Sequence, residues 1–170
     1  MNILMIILRT IHIFGSVLWA GTAFFFVGFL EPTITATGAE GVKVVQHLTQ
    51  RTRFSTTLSL AALLTTISGI WMYFRIFPGI GVAFSSGPGV GLTLGGLAGL
   101  LAAVHGIAVS GRASARMAAI GKEIQAVGGP PNPAQLAELQ TLQERLSRGA
   151  RVTAVLLAIA LLGMATARYL

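Results

Sequence analysis

The chain has 170 residues, 54% hydrophobic and only 10% charged, with a formal net charge of +7 and no cysteine. Soluble domains carry about 25% charged residues, so a soluble enzyme domain is a poor match, and the missing cysteine excludes disulfides, thiolate metal sites and thiol nucleophiles. The positive charge sits in segments between apolar runs, as membrane topology demands, and no aromatic-studded basic face marks a nucleic-acid binder.

The first apolar run covers about residues 3–30. It lacks a basic region before it and a small-residue cleavage site after it, so it reads as a retained membrane helix and not a signal peptide. Pro32 is expected to stop it, with Glu31 at the boundary. Between 33 and 53, Val42, Val45 and Leu48 recur at helical spacing, which predicts a short interfacial helix. His47 lies on this connector, at solvent or headgroup level. The second run covers about 54–77 and ends at Pro78-Gly79. Residues 79–89, rich in Gly and Ser, read as a loop. The third run covers about 90–110, and "GRASARMAAIGKEIQAV" extends it beyond the membrane. "GGPPNP" breaks that helix. Asn132 then reads as an N-cap with Pro133 at the first helical position, leading into the fourth run at about 150–169.

Each run can cross a hydrocarbon core of roughly 30 Å, which needs about 20 apolar residues, and a helix satisfies its own backbone amides there. The expected fold is an all-α, integral membrane four-helix bundle in one domain, with helical extensions on the cytoplasmic side. Lys43, Arg51 and Arg53 lie between the first two runs. Arg112, Arg116, Lys122, Arg145, Arg148 and Arg151 lie between or just inside the last two. The bias of Lys and Arg places both basic connectors in the cytoplasm and both termini outside, in a bacterial-type inner membrane.

Ionisable residues inside a span are costly and face the bundle interior. Here they are Arg9, His12 and His105. Met5, Arg9, His12, Gly15 and Trp19 share one helical face. That face serves either for packing, with His12 hydrogen-bonded to a carbonyl or hydroxyl, or as a site in which His12 ligates heme iron or a metal and Arg9 meets an acidic group such as a propionate. Gly95, Gly99 and Ala103 form a small-residue pattern on the third helix, suited to close packing or to a flat ring. By residue count from the outer end, His12 lies roughly 13 Å deep and His105 roughly 22 Å, at 1.5 Å per residue. A bis-histidine pair is therefore disfavoured, and His12 is expected to work alone or with an outer group. Met5, Met72 and Met164 lie at the outer level; thioether plus imidazole suits Cu(I), and His/Met is a heme ligation pattern. No phosphate loop, in-span carboxylate pair, G-x-S-x-G elbow or HExxH motif is present.

The stretch "IHIFGSVLWAG", with His12, Trp19 and Gly21, resembles the first helix of a superfamily of small bacterial four-helix membrane proteins. That superfamily includes the CopD-like copper-resistance domain and the HemJ-type protoporphyrinogen oxidase. "RTRFSTTLSLAALLTTISGIWM" is similar to their second helix, and "VHGIAVSGR" to the end of the third. The resemblance implies heme b bound by His12. The third-helix lysine of the HemJ type falls by spacing near Leu94, and this chain has no lysine there.

The leading expectation is a heme-b-binding redox or electron-transfer membrane protein. His12 would be the ligand, Trp19 would flank the cofactor, Arg9 would meet its acidic groups, and His105 would be a second ligand or a supporting residue. Two alternatives stand beside it. One is a copper-handling protein using His12 with Met5, Met72 and Met164. The other is a cofactor-free subunit packed against a larger membrane complex. The expected partners are the lipid bilayer and either other membrane redox subunits or further copies of the chain, with no nucleic acid.

Overall fold

The computed structural model describes residues 3–170, and all their side chains except those of Ala39, Val42, Gln46, Gln50 and Ile80. The helices are α1 (Ile3–Phe25), α2 (Glu31–Thr37), α3 (Ala39–Arg51), α4 (Phe54–Ile76), α5 (Ile80–Phe84), α6 (Gly87–His105), α7 (Arg112–Val127) and α8 (Pro133–Thr166). Wider π-helical turns, Phe26–Leu30 and Gly106–Gly111, join α1 to α2 and α6 to α7. Among the described residues there is no strand. Four helical stretches are long and apolar enough to cross a membrane: Ile3–Thr37, Phe54–Ile76, Gly87–Val127 and Pro133–Tyr169.

Two boundaries differ from the sequence reading. Pro32 does not stop the first helix. The preceding π turn shifts the ladder, with the Glu31 amide donating to the Phe26 carbonyl, and Pro32 falls in the first turn of α2. A proline there has no intrahelical amide bond to lose. Residues 79–89 are not all loop: 80–84 form α5, and α6 starts at Gly87. Ser86 caps it, its Oγ accepting from the Gly89 amide at 3.2 Å, with Pro88 in the first turn.

Other local signals act as read. The Asn132 side chain accepts from the Gln135 amide at 2.8 Å, and the Gln135 side chain accepts from the Asn132 amide at 3.0 Å, a reciprocal cap. Gly128, at φ 70°, ends α7 in the left-handed region that glycine alone enters cheaply. The predicted connector helix forms as α3; Val42 lies outside the described side chains, while Val45 and Leu48 are half-buried.

The chief pairings are α1 with α4 and α6 with α8; thinner α1–α8 and α4–α6 contacts join the two pairs. The interior is small. Trp19, Ala20, Ala61, Ala102 and Leu157 form its centre, while Phe14 is 74% exposed and Ile107 75% exposed. The chain exposes 11076 Å², against about 8,000 Å² for a compact soluble protein of its mass. Large apolar groups outside and small groups inside suit a medium as apolar as the side chains themselves.

The α6–α8 contact shows how closely two backbones approach. A Cβ on Gly163 would lie 3.0 Å from Gly95 Cα, and one on Gly95 would lie 3.0 Å from the Ala160 carbonyl oxygen. The third-helix glycine row thus serves helix packing at Gly95, and α8 fills the place a flat ring would take there.

At the basic end, Arg151 grips Glu31 through two hydrogen bonds of 2.8 and 3.2 Å, and Ser147 Oγ donates to the same carboxylate. Further out, α7 and the first half of α8 make a second small core of Ala113, Ile120 and Leu142. Arg116 clasps Glu138 across it at 2.7 and 2.9 Å. The Arg116 guanidinium holds the Glu138 carboxyl below the usual carboxylate range. A depressed native pKa stabilises above the unfolded value and is lost as pH falls through the native one.

Two outcomes follow. Gly163→Val should lower stability in a detergent thermal melt by about 1–3 kcal/mol, whereas Gly96→Ala, whose Cβ would meet open space, should stay within about 0.5 kcal/mol. Equal losses would contradict the close crossing. Acidification below the usual carboxylate range should weaken the melt, and Glu138→Gln should remove part of that dependence; an unchanged pH profile in the variant would contradict the clasp.

Candidate functional site

His12 sits on the seam between α1 and α4. Its Nδ1 lies 2.8 Å from the Thr65 carbonyl oxygen. A carbonyl only accepts, so Nδ1 carries the proton and donates. Ser68 Oγ, 3.4 Å from the same nitrogen, donates to the Leu64 carbonyl at 2.6 Å. In the neutral form of the ring the lone pair is then on Nε2, which makes no hydrogen bond among the described residues.

Glycines on both helices build this geometry. A Cβ on Gly69 would stand 2.8 Å from His12 Cε1, so glycine leaves room for the imidazole. One turn along, a Cβ on Gly15 would run into Thr65 Oγ1. The close approach at Gly15 brings the Thr65 carbonyl within reach of His12. Thr65 is buried, and its hydroxyl oxygen has no hydrogen-bond partner among the described residues.

Contacts set the levels of the four long helices. His12 faces Ser68 and Gly69, Tyr73 Oη meets Thr93 Oγ1 at 2.8 Å, Gly95 faces Ala160 and Gly163, and Val109 faces Gly149. Followed through antiparallel neighbours, this register puts His12 level with Ala98 and Ala160. It puts His105 level with Ala61, Trp19 and Thr153. The two histidines therefore differ in depth by about seven residues, roughly 10 Å at 1.5 Å per residue. His105 Nε2 and Thr153 Oγ1 are both buried without a partner among the described residues. Trp19 is a core residue, 8% exposed, packed with Ala61, Ala102 and Leu157, two turns along α1 from His12.

The remaining candidates fall as follows. Arg9 is exposed, one turn outward from His12 on α1. Met5 is on the His12 face of α1, two turns outward. Met72 is on the α4 face that carries Thr65, Ser68 and Gly69. Both are half-buried. Met164 belongs to the other pair, its Cγ near the place a Gly95 side chain would occupy. The register brings Met5, Met72 and Met164 within about one turn of the same depth, and puts two of them on the His12 seam. Leu94, where the resemblance places a lysine, is 56% exposed and points out of the bundle. His47 is exposed.

Among the described residues, no three or more of His, Cys, Asp and Glu come together in a cluster that could hold a metal ion. Gly69 and the Thr65 carbonyl, which orient His12, were missed from sequence. A glycine inside an otherwise bulky apolar helix was the signal for the first; a backbone acceptor leaves none.

No family model, curated protein or solved structure matches this chain.

The geometry predicts one tautomer. The ¹⁵N spectrum of selectively labelled protein should show the His12 Nδ1 carrying a proton. An Nε2–H tautomer would contradict the Thr65 contact.

Proposed function

We propose that the protein is a membrane-embedded redox protein whose cofactor is held by His12, with heme b as the first reading. The observation that supports it is the 2.8 Å bond from His12 Nδ1 to the Thr65 carbonyl. A histidine ligand needs its second nitrogen anchored in this way, because the anchor orients the ring, sets the tautomer and raises the basicity of the ligating nitrogen. When bound, the group supplies a one-electron couple. The chain supplies the rest. Nε2 offers the lone pair, the Thr65 carbonyl holds the ring, Arg9 meets acidic groups toward the outer surface, and the surrounding Ala, Gly and apolar residues exclude water.

The Gly15–Thr65 crossing leaves no space between α1 and α4, so His12 would hold the group through Nε2 with the Thr65 carbonyl behind the ring. The copper reading is favoured by a separate observation. Met72 stands on that seam about one turn from Ser68 and Gly69, which His12 faces, and a single Cu(I) ion held by imidazole and thioether needs no ring-sized space.

In this reading the four apolar stretches are transmembrane spans of a cytoplasmic-membrane protein. Nine of the twelve cations stand at the end with the long connectors, against Arg9, Arg75 and Arg168 at the other. That bias supports a topology with the connectors and the α7–α8 extension in the cytoplasm and both termini outside.

The visible spectrum of protein purified from membranes tests it. A Soret band that shifts on dithionite reduction is expected for heme b; a copper content near one per chain without that band selects the second reading. His12→Ala should lose the cofactor in either case and His105→Ala should retain it, since His105 sits roughly 10 Å deeper. A colourless, metal-free preparation, or full loading in His12→Ala, would overturn the proposal.

A further inference from the structure

The charges of the chain are sorted by end and by pairing. There is no aspartate, and the five glutamates are Glu31, Glu40, Glu123, Glu138 and Glu144. All five lie toward the basic connectors, and each meets a cation: Glu31 meets Arg151, Glu40 meets Lys43, Glu123 and Glu138 meet Arg116, and Glu144 meets Arg148. The opposite end carries Arg9, Arg75 and Arg168 and no side-chain carboxylate. Arg168 lies over the Tyr169 ring at 5.2 Å. Arg75, exposed and one residue from the end of α4, has neither an ion pair nor a hydrogen bond among the described residues.

Arg75 also stands at the end of an open apolar recess along α4. Ile67, Ile70, Trp71, Phe74 and Arg75 line a shallow recess of about 350 Å³ on the outward face of α4. Their spacing places them on one helical stripe. Apolar groups form its length, and the only charge stands at the helix end. Trp71, 53% exposed, sits one turn inside that end, the headgroup depth at which tryptophan is favoured. A recess with a hydrocarbon-like wall and one uncompensated guanidinium at its mouth has the polarity of a single amphiphile: acyl chain below, anionic phosphate above. Arginine binds phosphate through paired donors, and Arg75 has no ion pair or hydrogen bond among the described residues, which leaves that capacity unused.

We infer that this groove is a binding site for an anionic phospholipid, with Arg75 on the headgroup phosphate and one acyl chain along Ile67, Ile70 and Phe74. The inference rests on the membrane reading and is independent of the cofactor at His12. The site is local, so it differs from general attraction of acidic lipid to the basic connectors, which lie at the far ends of the helices.

Trp71 supplies a local probe. With Trp19→Phe, Trp71 is the sole tryptophan. The protein is placed in phosphatidylcholine vesicles containing a small fraction of bromine-labelled phosphatidylglycerol or, in parallel, bromine-labelled phosphatidylcholine. Quenching should show enrichment of the anionic lipid at Trp71 by about fivefold, the scale of one cation near a charged surface. Arg75→Gln should abolish the preference and Arg75→Lys should keep most of it. Equal quenching by the two lipids, or a preference that survives Arg75→Gln, would overturn the site. Loss of the preference in millimolar inorganic phosphate would show a free-ion site and overturn the lipid assignment. No quenching by either lipid would refute the membrane reading itself. If Trp19→Phe does not fold, the same comparison works in the unsubstituted chain, where buried Trp19 adds a constant background.

Discussion

Helices in hydrocarbon gain little by touching each other's apolar side chains, because the lipid offers the same contact. What holds this bundle is the closeness with which its backbones approach. Gly163 presses on Gly95 in one pair, and Gly15 on Thr65 in the other. Dispersion summed over these contacts, together with a few polar links such as Tyr73 to Thr93, takes the place of a large buried core. The same approach creates the local chemistry. Only because α1 rides so close on α4 can the His12 ring reach a main-chain carbonyl and rest against Gly69.

The basic end follows different rules. There α7 and α8 leave the apolar zone and bury Ile120 and Leu142 between them, with paired charges outside. A soluble-style hairpin is thereby attached to a membrane-style bundle through α8, which runs unbroken from Pro133 to Thr166. The Glu31 carboxylate, gripped by Arg151 and Ser147, fastens the first helix to that shared helix where the two regimes meet.

Much of this was legible in the residues. Hydropathy gave four spans, and Asn132-Pro133 and Gly128 marked helix ends through capping chemistry that local sequence alone determines. Pro32 misled because a π turn upstream had already displaced the amide bond that proline would have broken. The loop over 79–89 misled because Ser86-Gly87-Pro88 is equally a helix start. At the site, the shared face of Met5, His12 and Trp19 was readable from spacing, but their roles were not. Trp19 belongs to the packed centre at the level of His105, which periodicity on one helix cannot reveal. Depth needs the register between helices, and register depends on where glycine lets two backbones meet. A carbonyl or hydroxyl partner for His12 was expected from the residues, and the bond to the Thr65 carbonyl is such a partner; which carbonyl it is was out of reach, because every residue possesses one.

In the proposed function one imidazole, that of His12, would bind the redox centre, and His105 would not share it. Pulsed electron paramagnetic resonance on the oxidised protein, with ¹⁵N confined to histidine, counts bound imidazoles directly. A single coupled imidazole nitrogen at the metal, lost in His12→Ala, is the predicted result. Coupling to two imidazoles, or to none, would contradict it.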